Sequence, residues 1–207
     1  NYTGTTTVNS GRLILQDTAA AWGSGAGGMT NNAELEYSVT SGSRANSGSH
    51  GGSGNLYKSG VGTQTLTGGL SYTGTTTVAG GTLNLQDTIG GGGSNYNGSN
   101  ININGASTLR VSGQRYNFGG ETFTFNSVGG GTLDAIASGA GGMVFMGNNT
   151  FATSGGAQNI ISGTRIESQN QGFNLNGQTA IFEVASGSDA TSDLKVIGTI
   201  WNGGNVT

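Results

Sequence analysis

The segment Tyr-Thr-Gly-Thr-Thr-Thr-Val stands at residues 2–8 and again at residues 72–78, and each copy opens a longer shared stretch. Residues 1–18 and 71–88 align without a gap at an offset of 70 and match at 13 of 18 positions. Self-similarity of this kind is the sign of a solenoid, in which one supersecondary unit stacks on the next. The positions that change are as informative as those that stay. Leu13 and Leu15 return as Leu83 and Leu85, whereas Arg12 becomes Thr82 and Ile14 becomes Asn84. Alternate residues of a strand face opposite sides. The fixed leucines, with Val8 and Val78, are therefore expected inside, and Arg12, Ile14, Thr82 and Asn84 outside. Asn9-Ser10-Gly11 becomes Ala79-Gly80-Gly81, a corner of small or turn-permissive residues. Each copy reads strand, corner, strand, then a polar stop at Gln16-Asp17-Thr18 or Gln86-Asp87-Thr88.

The rest of the chain fits a thin-cored, all-β solenoid better than a globule or a disordered tract. Only 32% of residues are hydrophobic and 43 of 207 are glycine, too little apolar matter for a thick core. Yet Ile-Asn-Ile-Asn at 101–104, Thr-Phe-Thr-Phe at 122–125 and Leu-Asp-Ala-Ile at 133–136 are β-patterned runs bounded by glycine. The complete absence of proline agrees, because a solenoid strand with coils on both sides must offer every N–H to its ladder. The Gly/Ser-rich stretches 42–54 and 90–99 read as loops or wide turns. Residues 17–22, with Ala19-Ala20-Ala21, offer one short helical turn. All six tyrosines lie between Tyr2 and Tyr116 and all seven phenylalanines between Phe118 and Phe182. One continuous domain over residues 1–207 is expected, with a Tyr-containing repeat region at 1–117 and bulkier Phe-rich coils at 118–207. At roughly 20 residues per coil and about 4.8 Å per level, the chain makes on the order of ten coils and a rod about 50 Å long.

The fullest form of the repeat runs from Gly-Val-Gly-Thr-Gln-Thr-Leu-Thr-Gly at 60–68 into residues 71–85, and residues 2–15 match its latter part. This resembles the passenger-associated repeat of autotransporter proteins. The resemblance covers under a third of the chain. It implies a right-handed parallel β-helix, bacterial secretion, and display at or beyond the cell surface; it names no particular adhesin, protease or toxin. The lack of cysteine suits such a family, whose members cross the outer membrane unfolded.

Residues with chemical potential are few. Catalysis on a β-helix needs carboxylates brought together, often beside basic groups. Glu34 and Glu36 stand two apart on one strand face, and Asp189 and Asp193 flank an Ala-Thr-Ser segment. With no further signature around either pair, they read as solvated side chains or turn-capping aspartates. His50, the one histidine, lies in a Ser/Gly run and reads as a loop residue. No enzyme is expected, and no catalytic, cofactor-binding or metal residue is assigned. Asp17 and Asp87 recur at one repeat position, but the calcium-loading Gly-Gly-x-Gly-x-Asp nonapeptide is missing, so they read as turn-stabilising. Tyr2 and Tyr72 read as rings stacked between coils. Threonine pairs at 5/7, 75/77, 63/65/67 and 122/124 keep an ice-binding face open as a minor reading, although ordinary β-propensity explains them.

A net charge of −3 with scattered basic residues supplies no stripe for nucleic acid and no cationic amphipathic segment for membrane insertion. The expected function is a structural or adhesive segment of an extracellular bacterial β-solenoid. Its expected partners are identical subunits or adjacent repeats stacked end to end, with a host-surface or glycan receptor possible. A carbohydrate-binding or carbohydrate-acting β-helix is the alternative. The chain is expected to be one piece of a longer array, and a carboxylate in place of Leu83 is expected to break a coil.

Overall fold

Three parallel sheets alternate along the chain in the computed structural model, successive strands of the described residues passing from one face to the next. The structure describes residues 4–16, 27–87, 94–96, 100–113, 116–118, 123–137, 142–145, 149–164, 172–174, 179–186, 193–198, 200–201 and 205–206. The first sheet comprises Thr6–Val8, Met29–Asn31 and His50–Gly51, then Ser94–Tyr96, Tyr116–Phe118, Gly142–Phe145, Gly172–Asn174 and Ile200–Trp201. Leu70 bridges its two parts by pairing with both His50 and Tyr96. The second sheet has nine strands: Arg12–Gln16, Glu34–Ser38, Asn55–Ser59, Thr76–Val78, Ile101–Asn104, Phe123–Val128, Asn149–Ser154, Thr179–Val184 and Asn205–Val206. The third holds Ser43–Asn46, Thr63–Leu66, Thr82–Asp87, Thr108–Gly113, Thr132–Ala137, Asn159–Thr164 and Leu194–Ile197. The fold is thus an all-β parallel solenoid, with no helix among the described residues. Among the described residues, nine levels in the longest sheet span about 38 Å at the usual strand spacing, shorter than the rod expected from a uniform 20-residue coil. The coil lengthens along the chain: Leu56 pairs with Thr76, 20 residues on, but Thr76 pairs with Ile101 and Phe151 with Phe182.

In-register pairing turns the two-residue alternation into inward columns. One column of the second sheet runs Leu13, Leu35, Leu56, Thr76, Ile101, Phe125, Phe151, Phe182. In the third sheet Leu83, Leu109, Leu133 and Ile161 stack above Gln64. Val8, Leu15, Val78, Leu83 and Leu85 are buried as expected, and Ile14 is half exposed at 50%. Leu13 is only partly buried; among the described residues its level has one neighbour, Leu35. Burying each such leucine contributes on the order of 2 kcal/mol.

The two repeat copies fold alike but sit on different faces. The first places Thr6–Val8 in the first sheet and Arg12–Gln16 in the second; the second copy places Thr76–Val78 in the second sheet and Thr82–Asp87 in the third. Coils here step by 22 residues from Arg12 to Glu34 and by 20 from Leu56 to Thr76. An offset of 70 is therefore three turns and about a third. The repeat encodes a strand–corner–strand elbow that any of the faces can take. Both corners turn through a left-handed glycine, Gly11 at φ 72° and Gly81 at φ 60°.

The run 42–54 is not a loop. It carries Ser43–Asn46 and His50–Gly51 as strands. Ser-Arg-Ala-Asn has no apolar alternation, yet its backbone pairs with Thr63–Leu66, and the buried Asn46 amide oxygen accepts from Gly48 N at 2.8 Å to close the next corner. The possible helical turn at 17–22 lies outside the described residues.

Aromatic rings form a spine along the axis. Tyr72 meets Tyr96 edge-on at 5.8 Å, Tyr96 meets Phe118 at 5.3 Å, and Phe118 meets Phe125 at 5.8 Å. Phe125 stacks on Phe151 at 5.0 Å, and Phe151 on Phe182 at 5.1 Å. Stacking between coils is therefore the role of Tyr72; Tyr2 lies outside the described residues. Each pair adds about 1 kcal/mol beyond burial. The tyrosines of the spine are hydrogen-bonded. Tyr72 and Tyr96 share the buried Thr76 hydroxyl, with Thr76 Oγ1 and Tyr96 OH 2.6 Å apart. Phe125 and Phe151 share the interior with Ile103, Leu133 and Ile161 and with the buried Thr153.

Candidate functional site

The polar side chains fall into two sets, one inside the solenoid and one on its outer faces. Strand alternation sends Leu15, Tyr37, Lys58 and Val78 into one inward column. Lys58 is wholly buried. Its ammonium donates to the carbonyl oxygens of Ser59 at 2.6 Å, Gly60 at 2.8 Å and Gly80 at 3.0 Å. Three acceptors match the three N–H groups of an ammonium. Since Gly60 and Gly80 belong to successive corners of the coil, Lys58 ties one level to the next.

His50 departs from the loop residue read in the sequence. It is a strand residue of the first sheet, paired between Met29 and Leu70, and buried. Its Nε2 lies 2.7 Å from the Tyr37 hydroxyl. Burial pushes the imidazole pKa down from 6.5 to about 4, against a weaker opposite pull from the backbone at Gly48. Burial likewise raises the Tyr37 phenol, and Tyr96 is pushed up to about 12. The imidazole is therefore neutral at pH 7. A folded-state pKa below the unfolded value means the unfolded chain binds the extra proton between the two. The stabilisation is complete above about pH 6.5 and is lost as pH falls toward 4, by about 3 kcal/mol in all. Urea titrations at pH 7 and pH 4 should show that loss, and His50→Gln should flatten the slope; an equal slope in the variant would show that His50 does not govern it.

On the outer face of the second sheet, Arg12 gathers the first carboxylate pair. Its Nε lies 2.8 Å from Glu34 Oε1, its terminal nitrogen pairs with Glu36, and its guanidinium sits 5.0 Å from the centre of the Tyr57 ring. The Ser59 hydroxyl donates to Glu36 as well. Glu34 and Glu36 do share a face, but Glu36 is buried rather than solvated, because Arg12 and Ser59 cover it. Two carboxylates held by one arginine lock the first levels in register.

Asp193 is half-buried, and its backbone oxygen accepts from Asn159 N at 3.0 Å, a turn role. Asp189 and Asp17 lie outside the described residues. Asp87 ends its strand opposite Gly113. On the third sheet a polar ladder follows the axis. Asn84 donates to Thr65 at 3.4 Å, Ser112 donates to Asn84 at 2.8 Å, and Asp134 accepts from Arg110 at 2.9 Å and Ser162 at 2.7 Å. The threonine pairs do not form a common rank: Thr7 is on the first sheet, Thr77 on the second and Thr65 on the third. Among the described residues no three His, Asp or Glu side chains gather as a metal site, and no helix is long and apolar enough to cross a membrane.

Sequence reasoning missed Lys58, Tyr37 and the Arg110–Asp134 pair. The first was open to it, since Lys58 follows the inward Leu56 by two residues. The partners of the others depend on register between coils.

The family model described as the passenger-associated-transport-repeat matches residues 1–15 and 56–85. These segments hold both elbows, Gly11 and Gly81 included, and the second also spans Lys58 with its carbonyl acceptors. Comparison with curated proteins and with solved structures returns no match. The inward leucine columns and the parallel ladders make the chain a parallel β-solenoid, two segments of which match the passenger-associated-transport-repeat model.

Proposed function

We propose that this chain is a structural and adhesive segment of a secreted bacterial β-solenoid, displayed on or beyond the cell surface and without catalytic chemistry of its own. The observation that carries this reading is the continuity of the second sheet through nine levels and of its inward column through eight, with polar ladders on the outer faces, in a chain with two segments that match the passenger-associated-transport-repeat. Its mechanism is mechanical. Each level is bonded to the next by backbone ladders and nearest-neighbour packing, so load along the axis is shared among many weak terms. The engagement of Glu34 and Glu36 by Arg12 supports the absence of catalysis.

Stacking of adjacent repeats or identical subunits end to end completes the reading, since a terminal coil presents unpaired N–H and C=O groups to another strand. Negative-stain electron microscopy with light scattering across a concentration series tests it. The expected images are narrow rods that lengthen with concentration. Round particles that stay monomeric throughout would contradict the assembly, and cleavage of a polysaccharide that is abolished by Glu34→Ala or Glu36→Ala would contradict the lack of chemistry.

A further inference from the structure

Beyond the rod itself, the outer face of the second sheet carries a groove of about 650 Å³ that no function above uses. In-register pairing sets Asn102, Asn126, Ala152 and Glu183 one above another along it. Four levels make a channel about 14 Å long at strand spacing. The lower half is an amide ladder with one polarity. Asn126 Nδ2 donates to Asn102 Oδ1 at 2.9 Å, and Asn102 Nδ2 reaches Thr77 Oγ1 at 3.5 Å. That leaves the Asn126 carbonyl oxygen without a partner among the described residues. The ladder then stops: the next position is Ala152, whose methyl leaves a notch, and beyond it stands the exposed Glu183 carboxylate. Val128 and Val184 border the notch, 43% and 47% exposed.

We propose that this notch binds a neutral polyhydroxylated chain, an oligosaccharide, with hydroxyl groups donating to the Asn126 oxygen and the Glu183 carboxylate while sugar C–H faces rest on Val128 and Ala152. Three features select that class. The groove volume falls within the range of small-ligand sites, about 300–1,000 Å³. An apolar ligand would strip water from the Asn126 oxygen and the Glu183 carboxylate and give nothing back. Among the described residues Glu183 is the one charged residue lining the groove, so an acidic polymer meets repulsion there and no described cation. A peptide strand finds no purchase either, because the groove lies on a sheet face whose backbone is already committed to the ladders on both sides. The inference is independent of end-to-end stacking, so the two fail separately.

Calorimetric titration of the full chain tests it, using linear neutral hexasaccharides of glucose, xylose, mannose and galactose, with hexagalacturonate as the acidic counterpart. At least one neutral hexasaccharide is expected to bind with Kd below about 10 mM. Hexagalacturonate should bind roughly tenfold more weakly or not at all. Ala152→Trp fills the notch, and the double truncation Asn126→Ala with Glu183→Ala removes its acceptors; each should weaken binding by roughly tenfold with an unchanged far-UV spectrum. Thr65→Trp, on the third sheet, should leave binding unchanged. No binding by any neutral hexasaccharide, equal binding of the acidic one, or binding indifferent to the double truncation would overturn the proposal.

Discussion

Gly48→Ala is expected to destabilise the N-terminal levels by about 3 kcal/mol or more, through overpacking that cannot relax. A Cβ at Gly48 would stand 1.9 Å from the carbonyl oxygen of Gly27, one coil below, and one at Gly68 would stand 2.2 Å from the oxygen of Gly48. The corners are stacked backbone on backbone here, and the obstructing atoms belong to a main chain fixed by its own ladder. Asn46 also holds Gly48 in place through its amide oxygen. The matched control is Gly69→Ala, whose Cβ would meet nothing within 4 Å. Urea denaturation followed by circular dichroism should show a large drop in midpoint for Gly48→Ala and almost none for Gly69→Ala. Equal midpoints would mean that the corners are not in contact.

A carboxylate in the third sheet's inward column should cost more still. Leu109 is fully buried, with Leu83 on one side and Leu133 on the other. Leu109→Asp leaves a charge with no partner in a thin apolar core, or a carboxylic acid whose hydrogen bonds are unmet. The expected loss is about 4 kcal/mol or more. Leu83→Asp should be milder, because Gln64 lies in the adjacent level and its amide, now donating to the Thr65 carbonyl at 3.0 Å, can turn toward the new acid. That order, Leu109 worse than Leu83, is specific to the stacking described. The reverse order in thermal melts would place Gln64 elsewhere.

The elbows were legible in the sequence because they are local. A two-residue alternation and a glycine at the corner are enough to fix which of Leu13, Ile14 and Leu15 turns inward, at any position on the coil. The face each elbow occupies was not legible, since it depends on how many residues the intervening coils consume, and those coils step unevenly, by 20 to 22 residues in this stretch. The strand at Ser43–Asn46 was hidden for a related reason. Its side chains carry no pattern, and its stability comes from the Thr63–Leu66 backbone beside it. His50 and Lys58 were misread or passed over because buried charge-bearing residues are rare in thick cores. In a narrow solenoid every interior site lies close to a corner, where carbonyl groups are within reach, and Lys58 uses three of them. The outer groove was invisible in one dimension, as Asn126, Ala152 and Glu183 come from three successive coils.

The stacked register is the claim on which all else rests, and the absence of native cysteine allows it to be tested directly by disulfide formation. Thr65 pairs with Asn84 on the third sheet, and Thr77 with Asn102 on the second. Neighbouring strands at about 4.8 Å lie within the Cα separation a disulfide spans. Oxidation of Thr65→Cys/Asn84→Cys and of Thr77→Cys/Asn102→Cys, read by mass spectrometry on the monomer, should give an intramolecular bond in each, while Thr65→Cys/Asn102→Cys, which crosses faces, should give none. Bonding in the crossed pair, or its absence in both stacked pairs, would contradict the three-faced solenoid.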